Sequence, residues 1–261
     1  MVEYLLLLSI VQGITEFLPI SSSAHLVFIN TFSQTIDQSV QVDLSLHIGS
    51  LLALIVYFLQ NPLKSKKITN YNPDFLSPRN SIYLILFSAL PTMLLAYFFL
   101  NYNLIYTIRE NIRVIVWCNL IFALLLFLGD YYGGKLNKSL TKKNLFVLAI
   151  FQSISLIPGV SRSGICITVS RFLGFSRTES SIIATVMSFP ILFASLIYIT
   201  ITIYQKKDIF LTNTIFLAII LSFLTSYFSI KIIIEFIDRI KIYPFVIYRV
   251  CVSLIILYFI S

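Results

Sequence analysis

Three ionisable side chains, Glu16, His25 and Arg162, stand in Ser-, Pro- and Gly-bearing interruptions of long apolar segments. Such groups are expensive to bury in an apolar segment, so they mark either a paired structural group or a functional site. Glu16 and His25 belong to QGITEFLPISSSAH, residues 12–25, and Arg162 to PGVSRSG, residues 158–164. A carboxylate, an imidazole, several hydroxyls and an arginine together suit phosphoryl transfer. That reaction needs charge neutralised on the phosphoryl oxygens, a placed nucleophile and usually a divalent metal. Glu16 is a hard oxygen ligand for Mg²⁺ or Ca²⁺. His25 can act as acid–base or as nucleophile, and Ser22, three residues earlier, is the alternative nucleophile with a relay to His25 in reach. Arg162 offers a planar fork to a phosphate, and the N–H groups of Ser161 to Gly164 are expected to open a helix as an anion nest. Plainer readings stand beside these. Glu16 and Arg162 can form a structural ion pair, His25 can bond between helices, and serines often serve close helix packing.

The elements that position these groups follow from composition. The 261 residues are 58% hydrophobic and 11% charged, with mean hydropathy +0.91. Soluble domains carry about 25% charged residues, so the bilayer is the expected solvent. The net charge of +8 sits in short loops between apolar runs, the positive-inside pattern of an integral membrane protein and not a nucleic-acid surface. Cys118, Cys166 and Cys251 lie in apolar runs without metal-type spacing and read as filler. The start, MVEYLLLLSIVQG, lacks a basic n-region and a cleavage site, and reads as part of the mature fold. His47, in SLHIGSLLAL, reads as a packing or interfacial histidine, and Arg249, in YRVCV, is held outside the site.

Six runs are long enough to cross a bilayer: 44–60, 82–100, 112–128, 181–204, 214–230 and 243–260. Segments 3–29 and 145–169 are interrupted by Pro, Gly, Ser and charged groups. If both enter and leave on one side, loops 61–81, 129–143, 170–180 and 231–242 share a face carrying 13 basic residues. The other face keeps Arg109, Arg113, Lys206 and Lys207. Full crossing by 145–169 spoils that asymmetry, so the charges favour re-entrant hairpins. VQGITEFLPISSSAH and FQSISLIPGVSRSGI also share Gln, then Pro, then a Ser-x-Ser pair, each followed by three apolar spans. The fold expected is an all-α integral membrane protein of six transmembrane helices plus two re-entrant broken-helix hairpins. It is one membrane domain, 1–261, built as an inverted repeat of 1–135 and 136–261, with its site near the midplane.

At these motifs the chain resembles the bacterial undecaprenyl-diphosphate phosphatases of the bacitracin-resistance type. Their first motif is met from Gln12 through Glu16 and Phe17 to His25, and their second from Pro158 to Gly164. The resemblance extends to length, to eight hydrophobic segments and to KIYPFVIYR near the C-terminus. It implies hydrolysis of a C55 isoprenyl diphosphate to the monophosphate, which recycles the lipid carrier of cell-wall synthesis and confers bacitracin resistance. It also implies a divalent cation, a homodimer, and a site open to the outer side of the cytoplasmic membrane. Carried over by motif, Glu16, Ser22, His25 and Arg162 are the catalytic set, with Glu16 on the metal. Ser21, Ser161, Ser163 and Gly164 line the diphosphate. Two departures are visible: Gln12 replaces a possible second carboxylate, and Cys166 stands where a threonine is common. A transporter for a phosphorylated lipid or small anion is the alternative, since inverted repeats with broken helices also build transporters.

Overall fold

The computed structural model describes residues 2–33, 40–61, 78–134, 140–206 and 213–260. Every regular element in them is helical. They are α1 Val2–Phe17, α2 Ser22–Ser33, α3 Val40–Gln60, α4 Pro78–Asn101, α5 Leu104–Glu110, α6 Ile112–Tyr132 and α7 Lys142–Ser153. After a 3₁₀ turn at Ile154–Leu156 come α8 Arg162–Phe172, α9 Arg177–Val186, α10 Phe189–Lys206, α11 Asn213–Glu235, α12 Ile237–Ile240 and α13 Tyr243–Ile260. Four stretches are long and apolar enough to cross a membrane: Ile112–Tyr132, Arg177–Ile201, Phe216–Glu235 and Tyr243–Ile260. Ser45–Gln60 and Phe87–Asn101 are shorter apolar helices. Large apolar side chains such as Leu59, Leu94, Phe228 and Tyr258 face outward, as a lipid solvent requires.

The helices break where the sequence withdraws a backbone donor. Pro19 ends α1 one turn past Glu16, and Pro158 with Gly159 separates the 3₁₀ turn from α8. One of the spanning runs is interrupted. The segment 181–204 is not a single helix; it breaks at Met187–Ser188, because Pro190 has no N–H for the carbonyl four residues earlier. The Ser188 hydroxyl at that break is buried and donates to the Thr185 carbonyl at 2.6 Å.

Helix α11 is sandwiched between α1 and α3, while α7 lies along α4 and α8 along α6. The close approach to α11 needs glycine. A methyl group at Gly13 or Gly49 would run into the α11 backbone at Ser222 to Ser226 or Ile219 to Phe223. Two groups of helix ends lie at the two ends of α6. At its start, Arg113 donates to the Ile260 carbonyl at 3.3 Å, Phe259 of α13 meets Phe32 of α2, and Tyr4 of α1 donates to Asn30 of α2 at 3.2 Å. At its end, Asp130 takes both arms of Arg177 at 2.7 and 2.8 Å, and Arg171 donates to the carbonyls of Asp130 and Gly133. Thr178 joins the same corner to Asp238 of α12. The three cysteines are free thiols, Cys166 buried and Cys251 exposed.

Candidate active site

Two chain breaks meet at one cavity. Leu18–Ser21 separates α1 from α2, and Ile157–Ser161 precedes α8. In each, the residue before the helix is a serine with φ of +70°, Ser21 and Ser161. A left-handed serine costs on the order of 1–3 kcal/mol, so surrounding contacts must hold it there. His25 Nδ1 donates to the Ser21 carbonyl at 2.7 Å. Ser161 Oγ accepts the Gly164 N–H at 3.1 Å and caps α8. Ser163 Oγ donates across to the Leu18 carbonyl at 2.7 Å, tying one break to the other.

The cavity between them measures about 120 Å³. Glu16, Ser21, Ser22, Ser161 and Arg162 all line it, as does His47. Glu16 is the hub. Its Oε1 accepts from Arg162 Nη2 at 2.5 Å, and its Oε2 accepts from Ser22 Oγ and from Gln12 Nε2, both at 2.7 Å. His47 Nε2 stands 3.7 Å from the same Oε2. Arg162 is held from its other arm by the Ser188 carbonyl at 3.1 Å, which gives the break between α9 and α10 a place in the site. Leu156 and Ile191 supply an apolar part of the wall.

Three residues chosen from sequence lie elsewhere. His25 does not line the cavity; Tyr248 stacks on its ring, and Tyr248 Oη lies 2.7 Å from His25 Nε2. A carbonyl can only accept, so the neutral ring carries its proton on Nδ1 and takes the Tyr248 hydroxyl at Nε2. The Ser22 hydroxyl is directed to Glu16 and not to His25, so the relay within one helical turn is not formed. Ser163 is spent on Leu18, and the Gly164 N–H on Ser161.

Two residues read as bystanders belong to this region. The companion of His47, Glu16, comes from another helix and leaves no mark in the sequence around His47. Arg249, held outside the site, is fully buried and donates to the carbonyls of Pro19, Gly159 and Val160 in both breaks. An arginine inside an apolar run was the signal for it. Glu16 and His47 are the metal-type ligands at the cavity, and the described residues contain no group of three His, Cys, Asp or Glu able to hold an ion. Mg²⁺ and Ca²⁺ take six or more oxygens. Toward such a cation Glu16 offers one carboxylate, whose oxygens here accept from Arg162, Ser22 and Gln12.

Against known families, residues 5–255 match the model described as bacitracin resistance protein BacA. The chain belongs to the BacA family. Among curated relatives, the undecaprenyl-diphosphatase of Pelagibacter ubique is 36% identical over 254 residues, covering 96% of this chain and 94% of that protein. Those of Maricaulis maris and Jannaschia sp. are 34% and 33% identical, over 98% and 97% of this chain and 98% and 96% of theirs. In this BacA-family chain the matched stretch includes both breaks and every residue around the cavity.

Proposed function

We propose that this BacA-family protein is an undecaprenyl-diphosphate phosphatase, releasing orthophosphate from the C55 diphosphate and returning the monophosphate carrier to cell-wall synthesis. Bacitracin resistance follows as a consequence of that recycling. The observation that carries the reading is Ser22 Oγ donating to Glu16 at 2.7 Å beside Arg162, at two helix N-termini in one cavity. A cavity of about 120 Å³ is smaller than the ~300–1,000 Å³ of drug-sized pockets, so it suits a headgroup whose prenyl chain stays in lipid.

In this reading Arg162 shifts its fork from Glu16 to the terminal phosphoryl group, while Ser21, Ser161 and the N–H groups opening α2 and α8 hold its oxygens. Ser22 Oγ attacks the terminal phosphorus, its proton passes to Glu16, and the bridging oxygen leaves with the lipid monophosphate. Water then cleaves the phosphoserine. His25 holds the Ser21 turn through its Nδ1 proton. When bound, a divalent cation neutralises diphosphate charge, and Glu16 is the carboxylate that would hold it.

We further read the chain as six crossings and two re-entrant hairpins in an inverted repeat, 1–135 and 136–261. The exchange of partners supports this, α1 against α11 being matched by α7 against α4. So does the placement of ends: α1 and α2 meet at one end of α6, and α8 and α9 at the other. With 21 residues, α6 spans about 30 Å between those ends, a bilayer core. In this reading the basic loops lie in the cytoplasm together with the Asp130 end of α6, and the site opens to the outer side of the cytoplasmic membrane. The homodimer implied by the family resemblance is checked by the mass of the detergent-solubilised protein. Phosphate release from C55 diphosphate by purified protein tests the activity; an inert, folded protein contradicts it.

A further inference from the structure

Arg249 is a fully buried arginine on α13, a helix of mostly apolar residues. Its Nη1 donates to the Pro19 carbonyl at 3.3 Å, and its Nη2 to the carbonyls of Gly159 at 2.7 Å and Val160 at 3.3 Å. Its Nε donates to Asn119 Oδ1 at 2.9 Å, and Asn119 is steadied in turn by Ser253 at 2.9 Å. Removing a guanidinium from water without an acidic partner costs several kcal/mol before its hydrogen bonds repay it. A packing role alone would be filled more cheaply by Leu or Met.

The acceptors explain the choice. Pro19 lies three residues before Ser22, the first residue of α2, and Gly159 three residues before Arg162, the first residue of α8. One rigid fork thus grips equivalent carbonyls of two chain breaks. Gly164 completes the fit, since a methyl group there would press on Nη1. Fixing these two carbonyls fixes the distance between the Ser22 hydroxyl and the Arg162 guanidinium, which belong to different halves of the chain. Lysine has one ammonium on a flexible stem and cannot reproduce a fork with a fixed span.

We infer that Arg249, oriented by Asn119, is a positioning residue that sets the register of the two helix N-termini for catalysis, without touching the phosphate itself. The inference rests on the proposed phosphatase reading. The test compares wild type, Arg249→Lys and Asn119→Ala in C55 diphosphate hydrolysis, with thermal unfolding measured on each. Arg249→Lys should lower kcat at least tenfold and leave KM within threefold, because the prenyl chain supplies binding that the fork does not affect. Asn119→Ala should lower kcat at least threefold, again at constant KM, and it carries the test if the lysine variant does not fold. Folded variants with unchanged kcat overturn the inference. So does a loss confined to KM. An inactive wild type instead overturns the phosphatase reading, which keeps the two failures apart.

Discussion

At the residue scale, Glu16 accepts hydrogen bonds from Ser22, Gln12 and Arg162 at once. Once Arg162 turns to the phosphate, the carboxylate loses its charged partner, and the one hydroxyl among its remaining donors, Ser22, is the group whose proton it can take. Replacing Ser22 by Ala should therefore cost much more than tenfold, beyond about 1.4 kcal/mol, in single-turnover phosphate release. His25→Ala should cost less, because its ring faces Tyr248 and acts through the Ser21 turn. A Ser22→Ala enzyme within tenfold of wild type would pass the nucleophile's role to His25. Arg162→Lys should lose about a hundredfold or more, although charge is kept, since a point charge cannot bridge phosphate and the Ser188 carbonyl together. Near-normal turnover in that variant would reduce Arg162 to the structural partner of Glu16.

At the element scale, the breaks carry the design, and they were the legible part of the sequence. Pro19 and Pro158 each withdraw a donor, and Glu16 and Arg162 stand beside them at a cost that an apolar segment does not bear idly. What could not be read was which distant helices close the site. His47 comes from α3 and Arg249 from α13, and local neighbours reveal nothing of contacts made by packing across 31 and 87 residues, from Glu16 to His47 and from Arg162 to Arg249. The break at Met187–Ser188 was hidden because a proline near a helix start is compatible with either a new helix or a kinked one. Topology has its own check. In a background free of the natural cysteines, probes at Lys142 and Phe172 should both be inaccessible from outside, while one at Tyr102 is labelled. Labelling of 142 and 172 from opposite sides would contradict a re-entrant α7–α8. The α1–α11–α3 sandwich predicts that Gly49→Val loses about 1–3 kcal/mol of stability through overpacking. An unshifted unfolding temperature would show that α3 can back away from α11 freely.

At the scale of the whole molecule, two distant stretches of the chain each bring a helix N-terminus and a serine with φ of +70° to one cavity. The first supplies Glu16 and Ser22 to the cavity and the second supplies Arg162. The outward apolar faces leave the lipid tail in its own solvent, so only the charged headgroup must be desolvated by protein. The most direct measurement is orthophosphate release from undecaprenyl diphosphate by the purified protein, wild type against Glu16→Gln, each with Mg²⁺, with Ca²⁺ and with chelator. One phosphate per lipid, undecaprenyl monophosphate as co-product, loss on chelation with recovery on adding metal, and an inactive Glu16→Gln enzyme at every metal level are the expected results. A folded wild type that releases no phosphate, or a Glu16→Gln variant that turns over like wild type, would contradict the account.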